Sequence, residues 1–242
     1  YTTAHTLSLH DALPISEWGN EVVVSYKWHD LPPGSGLLDL ELGRESELTH
    51  YDWITDTTVH DGSAWAYMKN SKYKTTTDLV HYLIDNVSKN GYMLLNIGPK
   101  PDGTIPEEDK NILEGIGNWL DVNGEAIFET ETWDQYGEGP TKMNEAGPFS
   151  DNRAKLIYTA KDFRFTTKDN FLYATALGWP SKDFTIESIY KLFDNEIERV
   201  ELLGSTDKVE WKHTRGGLHI TRPDNKPCEH AYSFKITRKE YL

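Results

Sequence analysis

The chain has 242 residues, 37% hydrophobic and 12% aromatic, with eight Trp and thirteen Tyr, enough for one large domain or two smaller ones with a substantial core. Its net charge of −14 and pI of about 5.0 argue against nucleic acid or an anionic membrane surface as partner, since both need basic patches. The single cysteine, Cys228, excludes an intrachain disulfide and any multi-cysteine metal site, and no apolar run approaches the length of a membrane span.

Residues 1–16 (YTTAHTLSLHDALPIS) carry no charged N-region and no clear period. Residues 6–15 read as the in-frame translation of a DNA-sequencing adapter. We therefore expect 1–16 to be a leader foreign to the fold, and His5, His10 and Asp11 are not counted as a cluster. Residues 21–26 (EVVVSY) form a β-branched strand, and 31–36 a loop. Residues 37–42 (LLDLEL) are the next strand. There Asp39 and Glu41 alternate with leucines, so both carboxylates share a face. Inside a barrel, acids near a strand's carboxyl end face the active-site mouth. Residues 53–59 are a third extended segment, and 63–67 an aromatic loop.

A helix follows over 75–89, with Thr76 or Thr77 as N-cap and Leu79, Val80, Leu83, Ile84 and Val87 as its apolar stripe. Residues 92–97 (YMLLNI) read as a strand buried on both faces of a parallel sheet. Pro101-Asp102-Gly103 makes a turn. Pro106 then takes a first helical position, followed by Glu107, Glu108 and Asp109 where the helix dipole favours anions. Ile112, Leu113, Ile116, Trp119 and Leu120 recur at helical spacing, and Gly124 closes the helix.

Helix and buried strand in alternation mark βα units, too few for a closed barrel of about 250 residues. Residues 130–151 look like a loop, with Gly137, Gly139, Pro140 and Gly147. Beyond them, eight short segments separated by turn signals predict an antiparallel β-sandwich: 155–159, 162–166, 171–176, 184–189, 198–203, 209–213, 218–221 and 232–236. The expected fold class is α/β plus all-β, the C-terminal part of a (β/α)8-like barrel followed by an antiparallel β-sandwich. The expected organisation is a leader (1–16), a partial barrel (17–133), a linker (134–151) and the sandwich (152–242).

Asp39 and Glu41, with Asp56 and the aromatic 53–67 region near in sequence, carry the chemistry. Sugar hydrolysis needs one carboxyl group to protonate the leaving oxygen and a second at the anomeric carbon, with aromatic rings against the apolar sugar face. Apolar surroundings keep a carboxyl protonated near neutrality. The plain alternative is acids on a solvated strand. His81, His213, His219 and His230 lie at no metal-ligand spacing, and 96–98 has no phosphate-binding pattern. No metal and no cofactor are expected.

Residues 89–133 (KNGYMLLNIGPKPDGTIPEEDKNILEGIGNWLDVNGEAIFETETW) closely resemble the end of the catalytic barrel of α-L-fucosidases of glycoside hydrolase family 29. Residues 22–28 (VVVSYKW), an acid before WITDT, and 63–67 (SAWAY) fit the same family upstream. LYATALGWP (172–180), VELLG (200–204) and VEWKHTRGGLHI (209–220) resemble its C-terminal sandwich. The resemblance runs from about residue 17 to the C-terminus. It implies a retaining mechanism with an Asp nucleophile and a Glu acid/base. Glu41 matches the acid/base, with Glu45 and Glu47 as runners-up. Lys27 falls near a family Arg that binds substrate, keeping the charge but losing the planar fork. Trp65 matches the aromatic that packs on fucose. The family's nucleophile segment has no counterpart in the chain, so these 242 residues are expected to be inactive alone. The expected partner is a fucosylated oligosaccharide or glycoconjugate, with no nucleic acid and no membrane insertion. A periplasmic or extracellular setting is the expectation for the whole protein. The alternatives are a non-enzymatic carbohydrate-binding or structural sandwich protein, and a different barrel-plus-sandwich glycosidase.

Overall fold

The structure, a computed structural model, describes residues 24–27, 31–32, 35–62, 64–152 and 155–239. The leader-like stretch 1–16, the start of the strand expected at 21–26, and Ser63 of the aromatic loop lie outside the described residues. Four short strands, β1 (Ser25–Lys27), β2 (Leu37–Asp39), β3 (Trp53–Thr58) and β4 (Gly91–Asn96), form a parallel sheet in that order. β2 is shorter than the expected 37–42. Its continuation turns at Glu41 and Leu42, although the Leu40 and Leu42 N–H groups still donate to the Ile54 and Asp56 carbonyls at 2.8 and 3.0 Å.

The period of two gives this sheet two unlike faces. Tyr26, Leu38, Leu40 and Trp53 pack as a core on one. On the other, Lys27, Asp39, Ile54 and Tyr92 lie in register, with Asp56 beside Leu94 in the next row. The expected burial of 92–97 on both faces is corrected here. β4 is an edge strand, and only its helix-side face is covered within the described residues. Tyr92 and Leu94 are accordingly 52% and 59% exposed.

Two helices cover the other face. In α1 (Thr76–Ser88) the N-cap is Thr75, one residue before the expected position. Its hydroxyl accepts from the Asp78 N–H at 3.0 Å, and the Asp78 carboxylate accepts from the Thr75 N–H at 3.2 Å. This capping box stabilises the helix by about 1 kcal/mol. Leu79, Val80 and Ile84 of the predicted stripe are buried. In α2 (Glu107–Asn123) Pro106 is itself the N-cap, and Gly124 stays right-handed (φ −58°), leading into a 3-10 turn over Gly124–Ala126.

The sandwich comprises β5 (Glu131–Glu138), β6 (Phe163–Lys168), β7 (Phe171–Ala176), β8 (Phe184–Ile186), β9 (Ile197–Leu202), β10 (Trp211–Thr214), β11 (Gly217–Ile220) and β12 (Tyr232–Arg238). β5-β6-β7-β12-β9 and β10-β11-β8 are its antiparallel sheets. Phe163, Phe165, Leu172, Ile186, Leu218 and Phe234 fill the space between them. Two expectations fail here. The loop expected from 130 contains β5. Its Trp133 packs edge-on against Phe165 at 5.1 Å, and its Gly137 is required because a Cβ would sit 2.3 Å from the Phe163 carbonyl. Conversely, 155–159 is not a strand. The fully buried Asp162 carboxylate accepts from the N–H groups and hydroxyls of Thr159 and Thr141 at 2.7–2.9 Å, which pins the segment as a loop.

The sandwich is welded to the βα part. Trp119 Nε1–H donates to the Ala231 carbonyl at 2.9 Å, and Ser233 N–H to Asn123 Oδ1 at 3.2 Å. Beside this contact lies a buried charge network. The Asp85 carboxylate accepts from Lys89 Nζ (2.9 Å), Arg164 Nε (2.6 Å) and Arg44 Nη1 (3.4 Å).

Candidate active site

Lys27 ends β1, Asp39 ends β2, and Asp56 lies in the carboxyl half of β3. The parallel register brings all three to the same end of the same face. Glu41 reaches in from the turn beyond β2. Lys27 Nζ donates to Glu41 Oε2 at 2.8 Å and lies 3.5 Å from both Asp39 Oδ2 and Asp56 Oδ2. One ammonium thus faces three carboxylates. Burial works against the Lys27 charge, but the Glu41 hydrogen bond and the charges of Asp39 and Asp56 outweigh it and raise its pKa.

One cation faces three carboxylates, so ionising all three is disfavoured. Burial first, and then the hydrogen bond and charge of Asp56, push the Asp39 carboxyl up to about 6; Lys27 offsets part of this. Asp39 Oδ1 and Asp56 Oδ1 are both buried without a donor among the described residues. A proton held on Asp39 and donated to Asp56 satisfies both atoms. The sign follows from the raised value. The group's contribution to stability is fully present below the ordinary Asp pKa of about 3.9 and is lost as pH rises through about 6. Asp39→Asn is therefore expected to flatten the pH dependence of the thermal midpoint between about pH 4 and pH 6. Parallel melting curves for parent and variant across that window would refute the shared proton.

The other predicted residues separate. Glu45 accepts from the Tyr51 hydroxyl at 2.9 Å, and its carbonyl accepts from Lys89 Nζ at 3.1 Å. Glu47 is exposed and neighbours Tyr136 on β5. Neither joins the Lys27 cluster, whereas Glu41 does. Trp65 is half-buried, and its carbonyl accepts from Asn96 Nδ2 at 2.9 Å, which ties the aromatic loop to the carboxyl end of β4. Lys27 is a hub for carboxylates rather than an outlying contact. Sequence reasoning passed over His60, just beyond β3. It is fully buried, its ring lies 4.9 Å from Tyr73, and neither ring nitrogen has a hydrogen-bond partner among the described residues. The only signal was its place after a strand's carboxyl end. Among the described residues no group of three His, Cys, Asp or Glu side chains is arranged to hold a metal ion, and no helix is long and apolar enough to cross a membrane.

Such a cluster can donate a proton and bind a neutral polyol. Comparison with known proteins narrows this range. The profile described as Alpha-L-fucosidase matches residues 8–125, beginning inside the leader-like stretch, and that described as Alpha-L-fucosidase C-terminal domain matches 155–237. The chain is 31% identical over 198 residues to plasma alpha-L-fucosidase of Pongo abelii, covering 78% of this chain and 38% of that protein. The chain thus spans about two fifths of the length of the curated relatives it matches. A solved alpha-L-fucosidase superposes with a TM-score of 0.74 at 24% identity, over 95% of this chain and 48% of the other. Thermotoga maritima alpha-fucosidase, solved in complex with fucose, superposes with a TM-score of 0.65 at 26% identity, over 90% of this chain and 46% of that one. The architecture is the C-terminal part of a β/α barrel followed by a β-sandwich.

Proposed function

On the premise that this chain belongs to the α-L-fucosidase family, we propose that the whole protein is a retaining glycoside hydrolase that removes terminal α-L-fucose from glycans. One observation carries the reading: Asp39, Glu41 and Asp56 converge on Lys27 at the carboxyl ends of parallel strands, where barrel enzymes keep their chemistry. A structural relative's complex with fucose supports the choice of sugar.

Glu41 is the acid/base. In the first step it protonates the glycosidic oxygen while a carboxylate nucleophile attacks the anomeric carbon; in the second it takes a proton from water, which releases fucose. The hydrogen bond from Lys27 holds Glu41 in place, and the Asp39 carboxyl, pushed up to about 6, takes up a proton below that pH. Trp65 supplies the ring that packs against the apolar face of the sugar. The nucleophile, whose carboxyl must lie about 5–5.5 Å from the acid/base, comes from outside these 242 residues. Asp39 and Asp56 do not match the family's nucleophile segment, so neither is taken as its substitute.

The test compares the full-length protein with the 242-residue chain on an aryl α-L-fucoside. The full-length protein is expected to hydrolyse it with retention at the anomeric carbon, read by NMR at early times, and the chain alone to be inactive. Inversion would overturn the mechanism. Turnover by the chain alone would overturn the external nucleophile. Inactivity of the full-length protein, with specific retention on a fucosylated matrix, would favour a carbohydrate-binding protein instead.

A further inference from the structure

The segment 147–151, between β5 and β6, belongs to the stretch expected to be a linker (134–151). Its hydrogen bonds are directed at the turn that carries Glu41. The Phe149 N–H donates to the Glu41 carbonyl at 2.7 Å, the Asp151 N–H to the Leu42 carbonyl at 3.0 Å, and the Gly147 N–H to the Arg44 carbonyl at 2.8 Å. In return the Arg44 N–H donates to Ser150 Oγ at 3.1 Å. The opposite edge of the same turn is bonded to β3 through Leu42. The backbone on either side of the acid is therefore held from two directions.

Side chains complete the clamp. Arg44 is 5% exposed. Its Nε–H donates to Asp151 Oδ1 at 3.2 Å, and its guanidinium lies 4.1 Å from the centre of the Tyr82 ring. Gly43 is needed because a Cβ there would lie 2.1 Å from the Gly147 carbonyl oxygen. Leu42 and Phe149 adopt positive φ of 47° and 59°, conformations that bulky residues keep only when their surroundings impose them.

We infer that this segment, with Asp151 acting through Arg44, is a positioning element that aims the Glu41 carboxylate at the glycosidic oxygen, so that the sandwich side of the chain takes part in the acid step. The inference rests on the reading of Glu41 given above. It follows from geometry: a freed turn lets the carboxylate swing, and acid catalysis decays with small misplacements. The nucleophile is untouched, so the defect is selective.

The test uses the full-length protein and two aryl fucosides, one with an activated leaving group and one with a poor one. Asp151→Ala is expected to lower kcat/KM, which reports the first step, on the order of 10- to 100-fold on the poor substrate and to leave it within about threefold on the activated one, because little acid help is needed there. The basic limb of its pH profile should flatten, and Asp151→Glu should recover part of the rate. Ser150→Ala removes a single clamp bond and tests the same selectivity if Asp151→Ala does not fold. Equal losses on both substrates, or no loss on either, would overturn the positioning role. Glu41→Gln is the control. If it shows no leaving-group dependence, the assignment of Glu41 fails; if it does and the clamp variants do not, only this inference fails.

Discussion

Asp85→Ala is expected to lower the unfolding free energy by about 3–5 kcal/mol, the usual cost of removing one partner from a buried ion pair. Asp85 is fully buried on α1, and its oxygens meet Lys89, Arg164 and Arg44 at 2.9, 2.6 and 3.4 Å. Burial alone would raise its pKa, but those three cations overcome it and hold the carboxyl well below the ordinary range. Without Asp85, three buried cations remain, and among the described residues Asp151 is the other carboxylate bonded to any of them. A depressed pKa fixes the sign. The stabilisation is present above the ordinary Asp value of about 3.9 and declines as pH falls below it toward the folded-state value. Because Arg164 belongs to β6 and Arg44 follows β2, the variant should also uncouple the sandwich from the βα part. Urea unfolding followed by Trp fluorescence provides the check. Glu107→Gln, in an exposed pair with Lys110 and in the first turn of α2, should cost no more than about 1 kcal/mol. A shift for Asp85→Ala no larger than this control would mean that the network contributes little.

Glu41→Gln in the full-length protein is expected to reduce kcat/KM for fucosides with poor leaving groups on the order of 10²- to 10⁴-fold, the range of a general acid. Activated aryl fucosides should lose far less in the first step, since their leaving groups depart without a proton. Their second step slows, because water loses its base, and the covalent intermediate should accumulate as a burst. Lys27 loses its 2.8 Å partner but keeps Asp39 and Asp56, so the cluster survives as a scaffold. Equal loss on both substrate types would make Glu41 structural. If Asp39→Asn instead gave the leaving-group dependence, the proton donor would be Asp39, whose carboxyl is pushed up to about 6.

Much of the fold was legible because local rules and tertiary packing agree. Leu79, Val80 and Ile84 of the α1 stripe are buried, and Phe163, Phe165, Leu172, Ala174, Phe234 and Ile236, alternate residues along β6, β7 and β12, lie in the sandwich core. Where the reading failed, a distant partner decided. β5 was hidden by its glycine and acidic residues, and it is a strand because Phe163 and Phe165 on β6 receive it. Residues 155–159 have strand-like alternation, yet Asp162 holds them as a loop. β4 reads as buried on both faces because its run is apolar, and no local signal reports which face has a neighbour.

The site divides in the same way. Alternation along 37–42 predicts Asp39 and Glu41 on one face; β2 ends at Asp39, and Glu41 joins the cluster from the turn beyond it. The carboxyl-rich, aromatic-rich character of the region was likewise legible from composition. The proximity of Lys27, Asp39, Glu41 and Asp56 was not, since it depends on the register of three parallel strands separated by loops of unrelated length. Nor did local sequence rank Glu41 above Glu45 and Glu47. All three are carboxylates in one polar stretch, and their distinction comes from Lys27 on one neighbour, Tyr51 on another and β5 near the third. The raised Asp39 carboxyl, and the hydrogen bonds from 147–151 to the turn that carries Glu41, depend on distances of a few ångströms across long sequence separations. Those distances arise only when the whole chain closes on itself.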